Sequence, residues 1–336
     1  MTNQHKLNEG KILVTGGAGF IGSAVVYELN KRGFTNIIIT DYLGSDDKWK
    51  NLLGLEFEEF FPVQQMRKSI VEGGSIVADI QTIFHLGACS CTTERNMDFL
   101  ADNNYRITME LALFACRRGI RFVYASSAAT YGDGSQGFDD DESLLPRLRP
   151  LNAYGFSKHL FDLHAHKLGL LKHITGLKYF NVFGPNEEHK GEMRSVISKV
   201  YNEAKNNGVV KLFKSYHPNY ADGESVRDFI YVKDAARMTV EICLRTDATG
   251  IFNIGTGKAR SWNEVALAIF SALGTPPNIQ YTEMPSALRD KYQYFTQAKM
   301  DKFLRFLPEA GARFTLESAV EDYIKNYLLP EKRLAE

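Results

Sequence analysis

Apolar residues in this chain come in short runs, each cut off by glycine-rich or polar breaks. The run Lys11-Ile-Leu-Val-Thr15 stops at Gly16-Gly17-Ala18-Gly19-Phe20-Ile21-Gly22. From Ser23 to Arg32, Ala24, Val25 and Leu29 recur at helical spacing and Gly33 follows, which predicts a helix and its end. Ile37-Ile38-Ile39, closed by Asp41, reads as a second buried strand. Strand, glycine turn, helix, strand is a βαβ unit. Such unbroken apolar strands belong to a parallel sheet covered on both faces.

The alternation continues with strands at Gln81–Leu86 and Arg121–Ser126, a helix over Tyr105–Arg118, and a further strand at Thr175–Asn181. It fades after residue 182. Ser215–Ser225 reads as a long loop rich in Gly, Pro, Asn and Asp. Ser261-Trp-Asn-Glu264 has the pattern of a capping box opening a helix that ends before Gly274. Thr315–Leu328 reads as a last amphipathic helix. The expected fold is α/β: a Rossmann-type doubly wound parallel sheet over 10–182, then a smaller mixed α/β domain over 183–330. The smaller domain should cover the carboxyl edge of the sheet, where open α/β sheets bind ligands. The chain is expected to cross back into the first domain around 227–255. The acidic run Asp139-Asp-Asp-Glu142 reads as a solvated loop.

Composition removes several alternatives. The 336 residues suit roughly two domains at about 150 each. Forty basic against forty acidic side chains cancel, so nothing points to nucleic acid or a membrane surface. No apolar run approaches the ~18 residues of a membrane span. Four cysteines, Cys89, Cys91, Cys116 and Cys243, are too few for a disulfide scaffold and lack a zinc-like second pair, so no metal is expected. A soluble cytoplasmic protein is the expectation.

Two constellations carry chemistry. Gly16-x-x-Gly19-x-x-Gly22 follows a strand and opens a helix. Glycines there let a pyrophosphate approach the backbone, and the helix start favours its charge. Asp41, at the end of the next strand, suits a ribose 2′-hydroxyl and hence NAD; Lys48 and Lys50 just beyond suit the 2′-phosphate of NADP. The second constellation is Tyr154-Gly-Phe-Ser-Lys158, with Ser126-Ser127 ending a strand upstream. Tyr and Lys at i and i+4 share a helix face. The ammonium is expected to lower the phenol pKa toward a usable base, with the Ser127 hydroxyl steadying the reacting alcohol.

These segments, with Phe84–Ser90, Tyr124–Gly132, Tyr179–Pro185, His189-Lys-Gly191, Arg227–Val232 and Tyr292–Gln297, resemble the extended short-chain dehydrogenase/reductase family of nucleotide-sugar enzymes. The likeness runs from about Gly10 to Tyr327. His189–Gly191 and Tyr292–Gln297 tie it to the branch that inverts C6 of an ADP-linked heptose for lipopolysaccharide core synthesis. The resemblance implies a tightly bound nicotinamide cofactor, NADP before NAD, and a homo-oligomer, a pentamer if it follows the family. Gly16, Gly19, Phe20, Ile21, Gly22, Asp41, Tyr42 and Lys48 would hold the adenosine and pyrophosphate side. Leu86, Gly87, Ala88, Cys89, Ser90, Asn103, Lys158 and Val182 would hold the rest. Tyr154 and Lys190 would be the acid/base pair, with Lys158 and Ser127 supporting. Asn181, Glu192, Lys199, Phe213, Arg227 and Tyr292 would face the ADP-sugar.

The chain departs from the branch at Leu86, where a Glu is usual, and at Glu192, where a small residue is usual. Lys199 stands where a His is expected, and the loop Tyr216–Val226 is longer. Dehydration chemistry is disfavoured because Ala128-Ala129 follow Ser127 where an acid pair would be needed. A hexose 4-epimerase is the rival enzyme, and a non-catalytic dinucleotide-binding regulator the rival of another class.

Overall fold

The computed structural model describes residues 4–289 and 292–336. In chain order the first half runs β1 (Lys11–Thr15), α1 (Phe20–Lys31), β2 (Ile37–Asp41), β3 (Glu59–Pro62), α2 (Val63–Glu72) and β4 (Ile80–His85). Next come α3 (Met97–Leu100), a π-type stretch (Ala101–Arg106), α4 (Ile107–Arg118), β5 (Arg121–Ser127), α5 (Ala153–Lys167), β6 (Thr175–Tyr179) and β7 (Asn181–Phe183). The remainder is α6 (Val196–Asn207), β8 (Val210–Phe213), β9 (Val226–Tyr231), α7 (Val232–Cys243), β10 (Gly250–Ile254), β11 (Ala259–Ser261), α8 (Trp262–Leu273), β12 (Ile279–Thr282), α9 (Ser286–Arg289), α10 (Asp301–Phe306) and α11 (Leu316–Tyr323).

Seven strands form one sheet in the order β10-β6-β5-β4-β1-β2-β3, and every pairing is parallel. The order reverses direction at β1, the position that opens a crevice in doubly wound sheets. Ile12, Leu13, Val14, Ile37 and Ile39 are fully buried, as strands covered on both faces require. α1 and α7 pack against each other beside this sheet. The remaining strands form a β11-β9-β7 sheet, antiparallel then parallel, and a parallel β12-β8 pair. Among the described residues no helix is long and apolar enough to cross a membrane.

Three local expectations change. The strand expected over Thr175–Asn181 breaks at Phe180: its N–H bonds to the Ile254 carbonyl (3.0 Å), and from Asn181 the chain pairs with Phe229 of β9 instead. The helix expected from Tyr105 starts at Met97, capped by the Asn96 side chain on the Phe99 N–H (3.0 Å). The acidic run is not a solvated loop. Asp140 is buried and accepts the Asn253 N–H of β10 (2.8 Å), while Glu142 accepts the Ile251 N–H (3.0 Å) and pairs with Lys302. These carboxylates clip the segment after β5 onto the edge strand. Burial pushes the Asp140 carboxyl up to about 6.

Candidate active site

The glycine turn is built by exclusion. Gly16 has φ +68°, and a Cβ there would lie 2.6 Å from Gly87; one on Gly22 would lie 2.0 Å from the Gly16 carbonyl oxygen. So β1, the start of α1 and the loop after β4 meet with no room for a methyl group. Gly19 caps α1 without a side-chain bond, leaving the first-turn N–H groups free for an anion. Asp41 is buried at the end of β2: one carboxylate oxygen accepts the Ala18 N–H (2.9 Å), the other the Tyr42 N–H (2.7 Å) and the Lys48 ammonium (2.5 Å). This set fits a dinucleotide: a cradle that a side chain would fill, free N–H groups at its rim, and an acid facing the ribose position.

Beside it the loop after β4 is held by buried polar side chains. The His85 ring bridges the Thr15 and Thr108 hydroxyls (2.7 and 2.8 Å), and burial beside Lys158 drops its pKa to about 3, so it stays neutral. Asn104, fully buried in the π-type stretch, takes the Cys89 N–H (2.8 Å) and donates to the Cys89 carbonyl (2.9 Å) and to Ser157 (2.9 Å). Neither residue stands out in the sequence; a lone buried His and an Asn in a helix have no spacing signature. All four cysteines are free.

α5 starts with Asn152 accepting the Gly155 N–H (2.8 Å) and carries Tyr154, Lys158 and Asp162 one turn apart on one face. Burial brings the Lys158 ammonium down to about 8, and it donates to the Ala125 carbonyl (2.9 Å). The expected effect on Tyr154 is not found. Its pKa is raised by burial, with a hydrogen bond to Ser127 pulling it back. Asp162, below them, accepts the Tyr124 and Ser126 hydroxyls (2.8 and 2.6 Å) and faces the buried Lys178 at 3.7 Å.

A cleft of about 1030 Å³ gathers these groups. Every residue expected to hold the cofactor lines it, together with Ser127, Tyr154, Lys158, Asn181 and Lys190. Lys190 lies on a 3-10 turn (Glu188–Met193), half-buried, its ammonium 5.5 Å from the Phe20 ring centroid. Among the described residues that ammonium has no hydrogen bond or ion pair. Desolvation lowers its pKa, against the pull of Glu187.

The other residues expected to face the substrate do not line the cleft. Glu192 is almost fully exposed and pairs with Lys199 at the surface (3.2 Å), and Phe213 is exposed at the end of β8. Arg227 and Tyr292 stand one layer back. The guanidinium lies 5.4 Å from the Tyr292 ring and 5.9 Å from that of Trp262, whose indole N–H donates to the Tyr292 hydroxyl (3.0 Å). Trp262 and Phe229 themselves line the cleft, and neither was singled out by sequence motif. The loop before β9 is anchored by aromatic contacts, with His217 and Tyr220 against Tyr294 at 4.8 and 5.5 Å.

A parallel sheet with a glycine cradle at its carboxyl edge, and a Ser-Tyr-Lys set in the same cleft, defines a dinucleotide-dependent enzyme of the Rossmann type. The chain belongs to the NAD dependent epimerase/dehydratase family, whose model matches residues 12–255. It is 49% identical over 319 residues to an ADP-L-glycero-D-manno-heptose-6-epimerase of Nitratidesulfovibrio vulgaris (strain DP4), covering 94% of this chain and 97% of that one. A protein of the same name from Fusobacterium nucleatum subsp. nucleatum is 44% identical over 329 residues, covering 95% and 98%. A crystal structure of the Helicobacter pylori ADP-L-glycero-D-manno-heptose-6-epimerase superimposes with TM-score 0.78 at 26% identity, covering 97% and 99% of the two chains.

Proposed function

We propose that this chain is an isomerase that inverts C6 of the heptose in ADP-D-glycero-D-manno-heptose to give ADP-L-glycero-D-manno-heptose, a precursor for lipopolysaccharide core. The naming of relatives 44–49% identical over nearly their whole length supports the substrate. The observation that carries the reading is the presence of two proton-exchanging side chains, Tyr154 and Lys190, from separate segments of one cleft. An epimerase removes a proton from an alcohol oxygen and returns one to the same oxygen after the carbon has changed configuration. C6 lies off the sugar ring, so its hydroxyl points to different walls in the two epimers, and a base on each wall serves both.

When bound, a nicotinamide dinucleotide supplies transient oxidation of C6 to a ketone and its reduction, with no net redox. Tyr154 exchanges the proton in one configuration and Lys190 in the other. Ser127 hydrogen-bonds the phenol and steadies the same oxygen. Lys158 supplies positive charge beside the ribose, and Asn181 orients the sugar. We assign Arg227, packed between aromatic rings one layer behind the cleft, to the diphosphate, which requires the Trp262 layer to shift as the substrate enters. We favour NADP over NAD: the Lys48 ammonium already offsets the Asp41 carboxylate, removing the repulsion a 2′-phosphate would otherwise meet. The family resemblance extends the proposal to a cytoplasmic homo-oligomer, which sedimentation checks.

The test is incubation with each C6 epimer of ADP-heptose, followed by proton NMR. Interconversion from both sides is expected; turnover of UDP-hexoses instead would favour the 4-epimerase reading, and dinucleotide binding without any turnover a regulator. Mass spectrometry of the nucleotide released on denaturation should find NADP, and NAD alone would overturn that choice.

A further inference from the structure

Lys190 is held by almost nothing of its own: its ammonium makes no hydrogen bond or ion pair among the described residues, and only the Phe20 ring lies beneath it. Its position is therefore inherited from its neighbours in the chain. Those neighbours are tied down by buried side chains: Glu187 accepts the Gly184 and Ser195 N–H groups and the Ser195 and Tyr323 hydroxyls, and Asn51 links the same turn to the glycine turn. Asn51, 1% exposed, lies with its amide nitrogen within bonding distance of three acceptors: the Ala18 carbonyl in the glycine turn (3.0 Å), the Asn186 carbonyl (3.1 Å) and His189 Nδ1 (3.2 Å). Two amide hydrogens serve three acceptors, so the site is saturated. Burial keeps His189 neutral, at about 4, which leaves its ring able to accept. The Asn51 oxygen accepts from Arg333 (2.6 Å), which also pairs with Glu188 (3.1 Å).

Asn186 doubles the connection. It is 1% exposed with φ +76°, a left-handed backbone that asparagine adopts more readily than other residues with a side chain. Its side chain donates to Ser23 of α1 (3.0 Å) and accepts the Leu334 N–H (2.9 Å). Gly54, at φ +75°, lets the Ala335 carbonyl approach to where a Cβ would be 2.5 Å away. The glycine turn, the turn bearing Lys190 and the segment 333–335 thus meet at two buried amides.

We propose that Asn51, Asn186 and Arg333 form a positioning hub that sets Lys190 against the glycine turn, so that the second acid/base is placed from the cofactor side of the cleft. The proposal rests on the two-base reading above. None of the three touches the reacting atoms; they act through the backbone of 186–190. A hub that only fastened the segment 333–335 would affect stability and both directions of proton exchange alike. A positioning hub weakens the Lys190 step selectively.

The experiment uses the full chain with its bound cofactor and four variants: Arg333→Met, Arg333→Lys, Asn51→Leu and Lys190→Met. Three quantities are read: epimerisation of ADP-heptose, retained nucleotide, and the single-turnover appearance of reduced nucleotide, by absorbance, on mixing with each C6 epimer separately, which follows the two half-reactions one at a time. Arg333 lies near the surface, so Arg333→Met should fold even if the buried Asn51→Leu does not. Arg333→Met is expected to retain its nucleotide and lose epimerisation by about 10- to 100-fold, the range for a displacement of ~1 Å at a reacting group. The loss should fall on the same half-reaction that Lys190→Met removes, and Arg333→Lys should recover part of it. Equal loss in both half-reactions, or no loss, while Lys190→Met does abolish epimerisation, overturns the hub alone. Wild-type epimerisation by Lys190→Met overturns the two-base reading and the hub with it.

Discussion

The glycine turn and the turn bearing Lys190 face the same cleft, yet they are built by opposite means. At the glycine turn the backbone of three elements leaves no space for a Cβ, and Asp41 accepts two N–H groups and an ammonium. Around Lys190 the backbone hangs from a few buried side chains, Asn51, Asn186 and Glu187, while Glu192, two residues on, pairs with Lys199 at the surface. One wall is fixed by shape and the other by a handful of hydrogen bonds. On the function proposed above, the difference teaches where each kind of specificity resides: the dinucleotide side is a surface with no room for an added atom, and the sugar side one that can be changed residue by residue.

The comparison is most easily broken at the shape-fixed wall. Gly22→Ala forces a methyl against the Gly16 carbonyl, and is expected to yield protein without bound nucleotide and with no epimerisation, read by absorbance of the denatured supernatant and by NMR. Retained nucleotide at the wild-type ratio would show the cradle to be more forgiving than its geometry implies. Tyr154→Phe comes next: the fold and nucleotide should persist and the rate should fall about 10²- to 10⁴-fold, the range for a lost acid/base. Near-full activity would remove Tyr154 from the mechanism.

The pH dependence sharpens the contrast between the two lysines. Burial leaves Lys158 at about 8, so its charge is present below that pH and lost above it. Nucleotide affinity, measured by titration from pH 6.5 to 9.5, should therefore weaken across pH 8, and Lys158→Met should be weak and flat throughout. The smallest effect concerns stability. Asp140 titrates at about 6 in the folded chain, above its ordinary value, so its contribution is full at low pH and lost as pH rises through 6. Asp140→Asn keeps an acceptor for the Asn253 N–H without the buried charge. Its Tm should exceed the parent's at pH 8, and the gap should close toward pH 4.

The parts of the site that could be read in the sequence are those whose chemistry lies within one local spacing. Three glycines a turn apart, an acid at the next strand end, and Tyr and Lys at i and i+4 each state their geometry without help from elsewhere. Arg227 and Tyr292 came only through the resemblance, as residues facing the sugar, and their place in a layer behind Trp262 depends on how α8 lies on β9. Asp140 was misread for the same reason: an acidic run looks solvated until the N–H of Asn253, far along the chain, arrives to use it. β3 and β10 escaped notice as edge strands whose assignment depends on distant partners, Ile38–Asp41 and Thr175–Tyr179. The break at Phe180 is a tertiary decision too, since nothing in Tyr-Phe-Asn marks where one sheet hands the chain to another.

Trp262 has a practical consequence. The chain holds two tryptophans, Trp49 and Trp262. The first is half exposed on a 3-10 turn over Asp47–Leu52, which also carries Lys48 of the cleft; the second lines the cleft, its ring 5.0 Å from that of Phe229 and its indole N–H bonded to Tyr292. Trp262 is therefore an optical reporter set in the cleft itself. Replacing Trp49 by Phe leaves emission from Trp262 alone, and if Arg227 meets the diphosphate as proposed, its movement changes the charge next to the indole. Substrate entry then becomes a signal visible in a stopped-flow cuvette, without label, while the nucleotide stays in place.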